Sequence, residues 1–211
     1  YKQGHFTTLE PMQGYLYANH YGTTLKFTGE INPVDDDSYI TIPDEPGFYL
    51  IGNPLVCDGY PQYYDSWGNC WYNLPYYRMN ENQKELIAEV VKGAVLPGEG
   101  IFVEQVGKPL SLDVKFFTEY GYDPKKGAIA LNLTKDRGAA IDRAIVRFGE
   151  GPVLSKLMLN PDNTNVSIPQ GGEEYAIVRS ASEGEMPVNF KAATNGSYTL
   201  NASVNDTEME Y

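Results

Sequence analysis

With 211 residues, 13% of them aromatic, the chain is long enough for one large β domain or for a domain with a small neighbour. Its formal charge of -12, from 28 acidic and 16 scattered basic residues, argues against a nucleic-acid partner, because phosphate binding needs clustered Lys and Arg. No apolar run reaches the length of a membrane-spanning helix, and the opening YKQGHFTTLE has no signal-peptide character.

The first informative phrase, LEPMQGYLYANHYGTTLKF, returns as VLPGEGIFVEQVGKPLSLDV, with Pro11 answering Pro97, Gly14 answering Gly100, and Tyr15-Leu16-Tyr17 answering Ile101-Phe102-Val103. A Pro-x-x-Gly turn feeding an apolar run punctuates β-architecture, so one strand-turn unit used twice is expected. Chance similarity between segments drawn from the same few residue types is the competing account. Asp35-Asp36-Asp37 then follows Asn32-Pro33. Like Asp162, Asn163 and Asn165 further on, these residues offer oxygens to Ca²⁺ but lack EF-hand spacing, and solvated turns account for them better.

The runs SYITI and GFYLIG lead into CDGYPQYYDSWGNC, which holds Cys57 and Cys70. A turn-rich spacer of this length lets the two sulfurs meet, so a loop-closing disulfide is expected, with two free buried thiols as the alternative. No metal site is expected, since no further Cys or His lies nearby to complete a ligand set. The same stretch is dense in rings. Tyr63, Tyr64, Trp67, Trp71 and Tyr72 are candidates for stacking on sugar faces in the loop 60–77, against the plainer reading in which the rings cover a core and the hydroxyls bond backbone.

NQKELIAEVVKG carries Leu86, Ile87, Val90 and Val91 on a plausible helical face, yet Ile and the paired Val favour a strand. GIFVEQV, SLDVKFF, AIALNLT and IDRAIVRF continue the strand-like series, and GPVLSKLMLN offers a turn or two of helix near Val153 to Leu159 before Pro161 stops it. After EYAIVR, the softest joint is SASEGEMP, followed by PVNFKA and GSYTLNASV around Thr194-Asn195-Gly196. Spacing of about ten residues between such runs predicts an all-β chain, an antiparallel β-sandwich of jelly-roll or immunoglobulin-like form. Residues 1–180 are expected to form the sandwich, and residues 181–211 a C-terminal hairpin that either docks on the main body or opens a further domain.

Taken in order, GYLYAN, GFYLIGNP, LPGEGIFV, DRAIVRFGEG and GEMPVNFKA with ATNGSYTL resemble the C-terminal region of large surface and secreted proteins of Bacteroidetes-type bacteria, many of which carry a sorting tail for type IX secretion. The resemblance implies a secreted or cell-surface location, a fragment of a longer polypeptide cut before the tail, and residues 181–211 as the incomplete start of an immunoglobulin-like domain. It brings no catalytic residue. The sequence also has no Gly-x-Ser-x-Gly elbow, phosphate loop or His-x-x-x-His, and neighbouring carboxylates such as Glu173-Glu174 point to opposite faces of a strand. The expectation is a non-catalytic structural or adhesive module, not an enzyme and with no cofactor. Its partners are then the remainder of its polypeptide and a glycan or host or cell-surface protein. The alternative is a carbohydrate-binding module using the aromatic loop.

Overall fold

A computed structural model describes residues 9–16, 39–64, 70–71, 75–80, 85–89, 94–106, 112–117, 127–148, 153–180 and 184–205. Among them the chain is all-β, without helix, and its strands build three sheets. The first contains β1 (Ile40–Ile42), β3 (Tyr60–Tyr64), β4 (Cys70–Trp71) and β8 (Leu112–Phe117), in the order β1-β8-β3-β4. The middle sheet contains β2 (Gly47–Gly52), β5 (Tyr76–Met79), β6 (Leu86–Glu89) and β7 (Gly100–Gln105), in the order β2-β7-β5-β6. The third contains β9 (Ala128–Lys135), β10 (Ala140–Phe148), β11 (Leu154–Ser155), β12 (Asn165–Gln170), β13 (Glu173–Ser180), β14 (Asn189–Lys191) and β15 (Tyr198–Asn205). Its order is β14-β12-β13-β10-β9-β15, with β11 also on β13. The described pairings are antiparallel except for β10 with β13, so this last sheet is mixed.

Strand alternation explains the stacking, because successive side chains of a strand face opposite sides. On the middle sheet Ile51, Tyr76, Ile101 and Val103 meet Ile42, Tyr63, Leu112 and Val114 of the first sheet in one apolar core. Their chain neighbours Tyr77 and Phe102 face the other way and pack with Ala130, Ile145, Leu154 and Ile177 of the third sheet. The third sheet curls about a further core, where Leu133, Ala144, Val166, Ile168 and Val178 come together.

The repeated Pro-x-x-Gly phrase folds the same way twice. Gln13 N–H bonds Glu10 C=O and Glu99 N–H bonds Leu96 C=O, each closing a four-residue turn whose third residue is left-handed, Met12 at φ 62° and Gly98 at φ 72°. The two turns then flank one strand: Gln13 bridges Ile51, while Gly100 pairs with Gly52. Gly14 approaches β2 so closely that a Cβ there would lie 2.5 Å from Leu50 Cγ.

Two local expectations are corrected. In place of helix near Val153 to Leu159, the chain forms β11 against β13. The backbone groups there find partners outside the segment: Ser155 N–H on Glu104, Lys156 N–H on Glu174 C=O, and Leu157 N–H on the Tyr77 hydroxyl. The expected terminal hairpin is also absent as such, since β14 pairs with β12 and β15 with β9, on opposite edges of the curled sheet. Unpaired strand edges offer a full ladder to an incoming segment, and β15 uses one across Tyr198 to Asn205. The Tyr198 hydroxyl ties the crossing by bonding Thr194 C=O at 2.8 Å, and the Tyr198 ring meets Phe190 edge-on at 5.4 Å between centroids.

Candidate functional site

The candidate aromatic residues separate once β3 is in place. Tyr63 points into the core between the first and middle sheets, where burial, with a smaller contribution from Glu104, pushes its hydroxyl pKa well above the ordinary value. It is therefore a packing residue and not a solvent-facing sugar contact. Tyr64 lies on the opposite face, half-buried, as period-two alternation requires. Trp71 sits on β4 in register with Tyr63. Trp67 and Tyr72 lie outside the described residues, as does the side chain of Trp71.

The outer face of the first sheet brings together residues that no local reading would group. Tyr60 pairs with Phe117, Gln62 with Lys115, and Tyr64 with Asp113 across β3 and β8. Lys115 Nζ lies 5.5 Å from the centre of the Tyr64 ring and 5.9 Å from that of Tyr39, a cation-over-ring arrangement with Tyr39 56% exposed. Asp113 accepts a 2.7 Å hydrogen bond from the Thr41 hydroxyl. Chemically this is a sheet face with rings for stacking and an ammonium and a carboxylate beside them, while Gln62 between them is buried.

The expected Cys57–Cys70 disulfide is not formed, and Cys57 is a free, exposed thiol. The reason is the strand between them. Cys57 precedes β3, which begins at Tyr60, whereas Cys70 pairs with Tyr64 at its far end. Four residue steps along a strand separate those ends by roughly 13 Å, beyond the roughly 7 Å Cα separation a disulfide tolerates. Cys57 C=O instead accepts from Asn53 Nδ2, which also bonds Val95 C=O.

A second cluster lies in the third sheet. Lys156, just after β11, places Nζ 2.6 Å from Asp142 Oδ1 and 2.5 Å from Oδ2, with both side chains only 6% exposed. The pairing of β10 with β9 shifts register between Ala140 and Asp142. The carboxylate is held further by the backbone N–H groups of Arg143 on Oδ1 and Val166 on Oδ2. Burial raises the Asp142 pKa and lowers that of Lys156, against the opposing pull of each on the other. Lys156 also lines an open groove of about 540 Å³ with Met158, Ser167, Glu174, Phe190 and Lys191. There the Glu174 carboxylate accepts from Ser167 Oγ and from Asn189 Nδ2.

Asp162, Asn163 and Asn165 take part in turn bonding through their nitrogens: Asp162 N–H bonds Asn160, Asn163 Nδ2 bonds Glu85, and Asn165 Nδ2 bonds Asn163 C=O. Asp35, Asp36 and Asp37 lie outside the described residues. Among the described residues no group of three or more His, Cys, Asp or Glu is placed to hold a metal ion.

Sequence reasoning missed Tyr39, whose partner Lys115 lies on β8, and Lys115 and Phe117, whose partners lie on β3, each tens of residues away, and it missed the Asp142–Lys156 pair. Alternation within SLDVKFF was the one available signal, since it sets Asp113, Lys115 and Phe117 on a common face. No family model, curated protein or solved structure matches the chain.

Proposed function

We propose that the chain is a non-catalytic structural or adhesive module of a secreted or cell-surface bacterial protein. The observation that carries this reading is the use made of charge. Arg143 on β10 grips Glu89 on β6 at 2.6 Å, joining the third sheet to the middle one. Arg78 on β5 holds both oxygens of Glu99, at 2.9 and 2.6 Å, clamping the turn before β7. Asp142 and Lys156 brace the third sheet internally. These pairs act as struts between segments distant in sequence, which suits a part that must keep its shape within a larger assembly. Val188, Phe190, Leu200 and Val204 add exposed apolar surface on and beside β14 and β15, available for contact with neighbouring protein. The resemblance to exported Bacteroidetes-type proteins supports the location.

A second reading, carbohydrate binding, is favoured by the Tyr39, Tyr64 and Lys115 cluster on the first sheet. A glycan array probed with the purified chain, followed by bead-attachment assays on bacterial and host-cell surfaces, separates the two. The leading reading expects no glycan-specific signal, and attachment that weakens in Leu200→Lys and Val204→Lys. Specific glycan binding that disappears in Tyr64→Ala and Lys115→Ala would replace it with the second.

A further inference from the structure

We propose that Lys156 and Asp142 close an intramolecular amide bond, Nζ to Cγ, that staples the segment after β11 to β10. The argument begins with placement. The amine touches both carboxyl oxygens, at 2.6 and 2.5 Å, from a position fourteen residues away in sequence, and only 6% of each side chain is exposed. Holding two reactants in contact in this way turns a bimolecular condensation into an internal one, and well-oriented pairs reach effective concentrations of roughly 10⁵ M or more.

The carboxyl is also pinned for attack. Arg143 N–H and Val166 N–H hold Oδ1 and Oδ2 at 2.8 and 2.7 Å, so the orientation of the carboxyl beside Nζ is fixed from two sides. Val166 N–H is in addition a donor aimed at the oxygen on which negative charge develops when the carbonyl carbon becomes tetrahedral. Condensation needs an uncharged amine and a protonated carboxyl, and the interior moves the pair in that direction. Burial raises the Asp142 pKa and lowers that of Lys156, which favours proton transfer from ammonium to carboxylate over a contact that already exists.

The step balances without a co-reactant. The Nζ lone pair forms the new C–N bond, the Cγ–Oδ1 bond breaks, and one proton from Nζ joins the departing hydroxyl, so one water leaves and Oδ2 remains as the amide carbonyl on Val166 N–H. The transfer needs no relay because Nζ lies against both oxygens. The product also removes two charges from an interior in which burying an ion pair is expensive.

Mass spectrometry of the purified chain decides the matter. The intact mass is expected to fall short of the sequence mass by one water. A denaturing tryptic digest should release residues 138–143, which contain Asp142, joined to residues 148–179, because a Lys156 carrying an amide is not cleaved. Lys156→Arg should restore the full sequence mass. Asp142→Asn, which keeps the shape of the site, should lose one ammonia in place of the water if it closes the same bond. A wild-type chain at full mass, with peptide 138–143 free and cleavage after Lys156, overturns the proposal, and so does a water deficit that persists in Lys156→Arg.

Discussion

Ile101 and Phe102 are neighbours on β7, and they look into different interiors. Ile101 joins a core built from aliphatic and aromatic side chains between the first and middle sheets. Phe102 faces the third sheet, where apolar packing shares the space with polar anchors: Glu104 accepts from Ser155 N–H, Tyr77 bridges Ser155 and Leu157, and the Asp142–Lys156 pair lies beyond. One side of the middle sheet is held mainly by burial, which is tolerant of direction. The other is held by directional bonds that also fix where the segment 154–157 runs. The difference explains why that segment is a strand and not a helix, since its backbone donors are claimed from outside.

The largest effect should come from the buried charge. Lys156→Ala removes the partner of a carboxyl that is only 6% exposed, and stranding such a group is expected to cost about 3–5 kcal/mol in denaturant unfolding. The loss should depend on pH in a defined sense. Burial is the main cause of the raised Asp142 pKa, so in the variant the folded state holds this proton more tightly than the unfolded chain does. Stability is then greatest below the ordinary value of 3.8 and declines as pH rises above it, until the folded carboxyl itself ionises. The proposed amide leaves no carboxyl to titrate in the wild-type chain, so a wild-type slope matching that of the variant would show the two forms to be equivalent and break the contrast.

Next comes the apolar side. Ile101 is fully buried, and Ile101→Ala is expected to lose about 2–5 kcal/mol through transfer and cavity terms, with no change in pH dependence. The directional side is sharpened by Tyr77→Phe. The hydroxyl donates to Ser155 C=O at 2.7 Å and accepts from Leu157 N–H at 2.9 Å, and burial pushes its pKa far above the ordinary range. Deleting one oxygen leaves two backbone groups without this partner, for an expected loss of about 1–3 kcal/mol. Hydrogen exchange should speed up at Leu157 while amides of the first sheet stay protected. Uniform acceleration across the molecule would mean that the hydroxyl does not act locally.

The sheets were legible because alternation is local. GIFVEQ and LDVKFF already carry the buried-exposed rhythm that the structure shows, and the Pro-x-x-Gly echo marks two matching turns. The sites were not legible because they are made by long-range pairing. Asp142 lies in IDRAIVRF and Lys156 in GPVLSKLMLN, and each reads as an ordinary solvated charge until β11 docks on β13 beside β10. Tyr63 and Tyr64 look alike in sequence, and only the side of β3 on which each falls separates a core ring from a half-buried one. The Thr194-Asn195-Gly196 signal predicts a hairpin, but the flanking strands pair with β12 and β9 on opposite edges of the sheet.

The smallest effect belongs to the paired turns beside β2. Gly98 has φ 72° with open space where a Cβ would stand, so Gly98→Ala meets no clash and pays only for a left-handed backbone, about 1–2 kcal/mol. Met12 occupies the equivalent place at φ 62° and offsets that strain by burying its side chain to 7% exposure in the core of the first and middle sheets. Met12→Gly should relieve the strain yet lose the burial, leaving a net destabilisation, because fully burying a Met side chain contributes about 1.5–3 kcal/mol. The two substitutions therefore both destabilise, for opposite reasons: one adds strain without burial, the other removes burial along with strain. Thermal unfolding of the pair checks this, and a Met12→Gly variant more stable than wild type would show that backbone strain outweighs packing at the first turn.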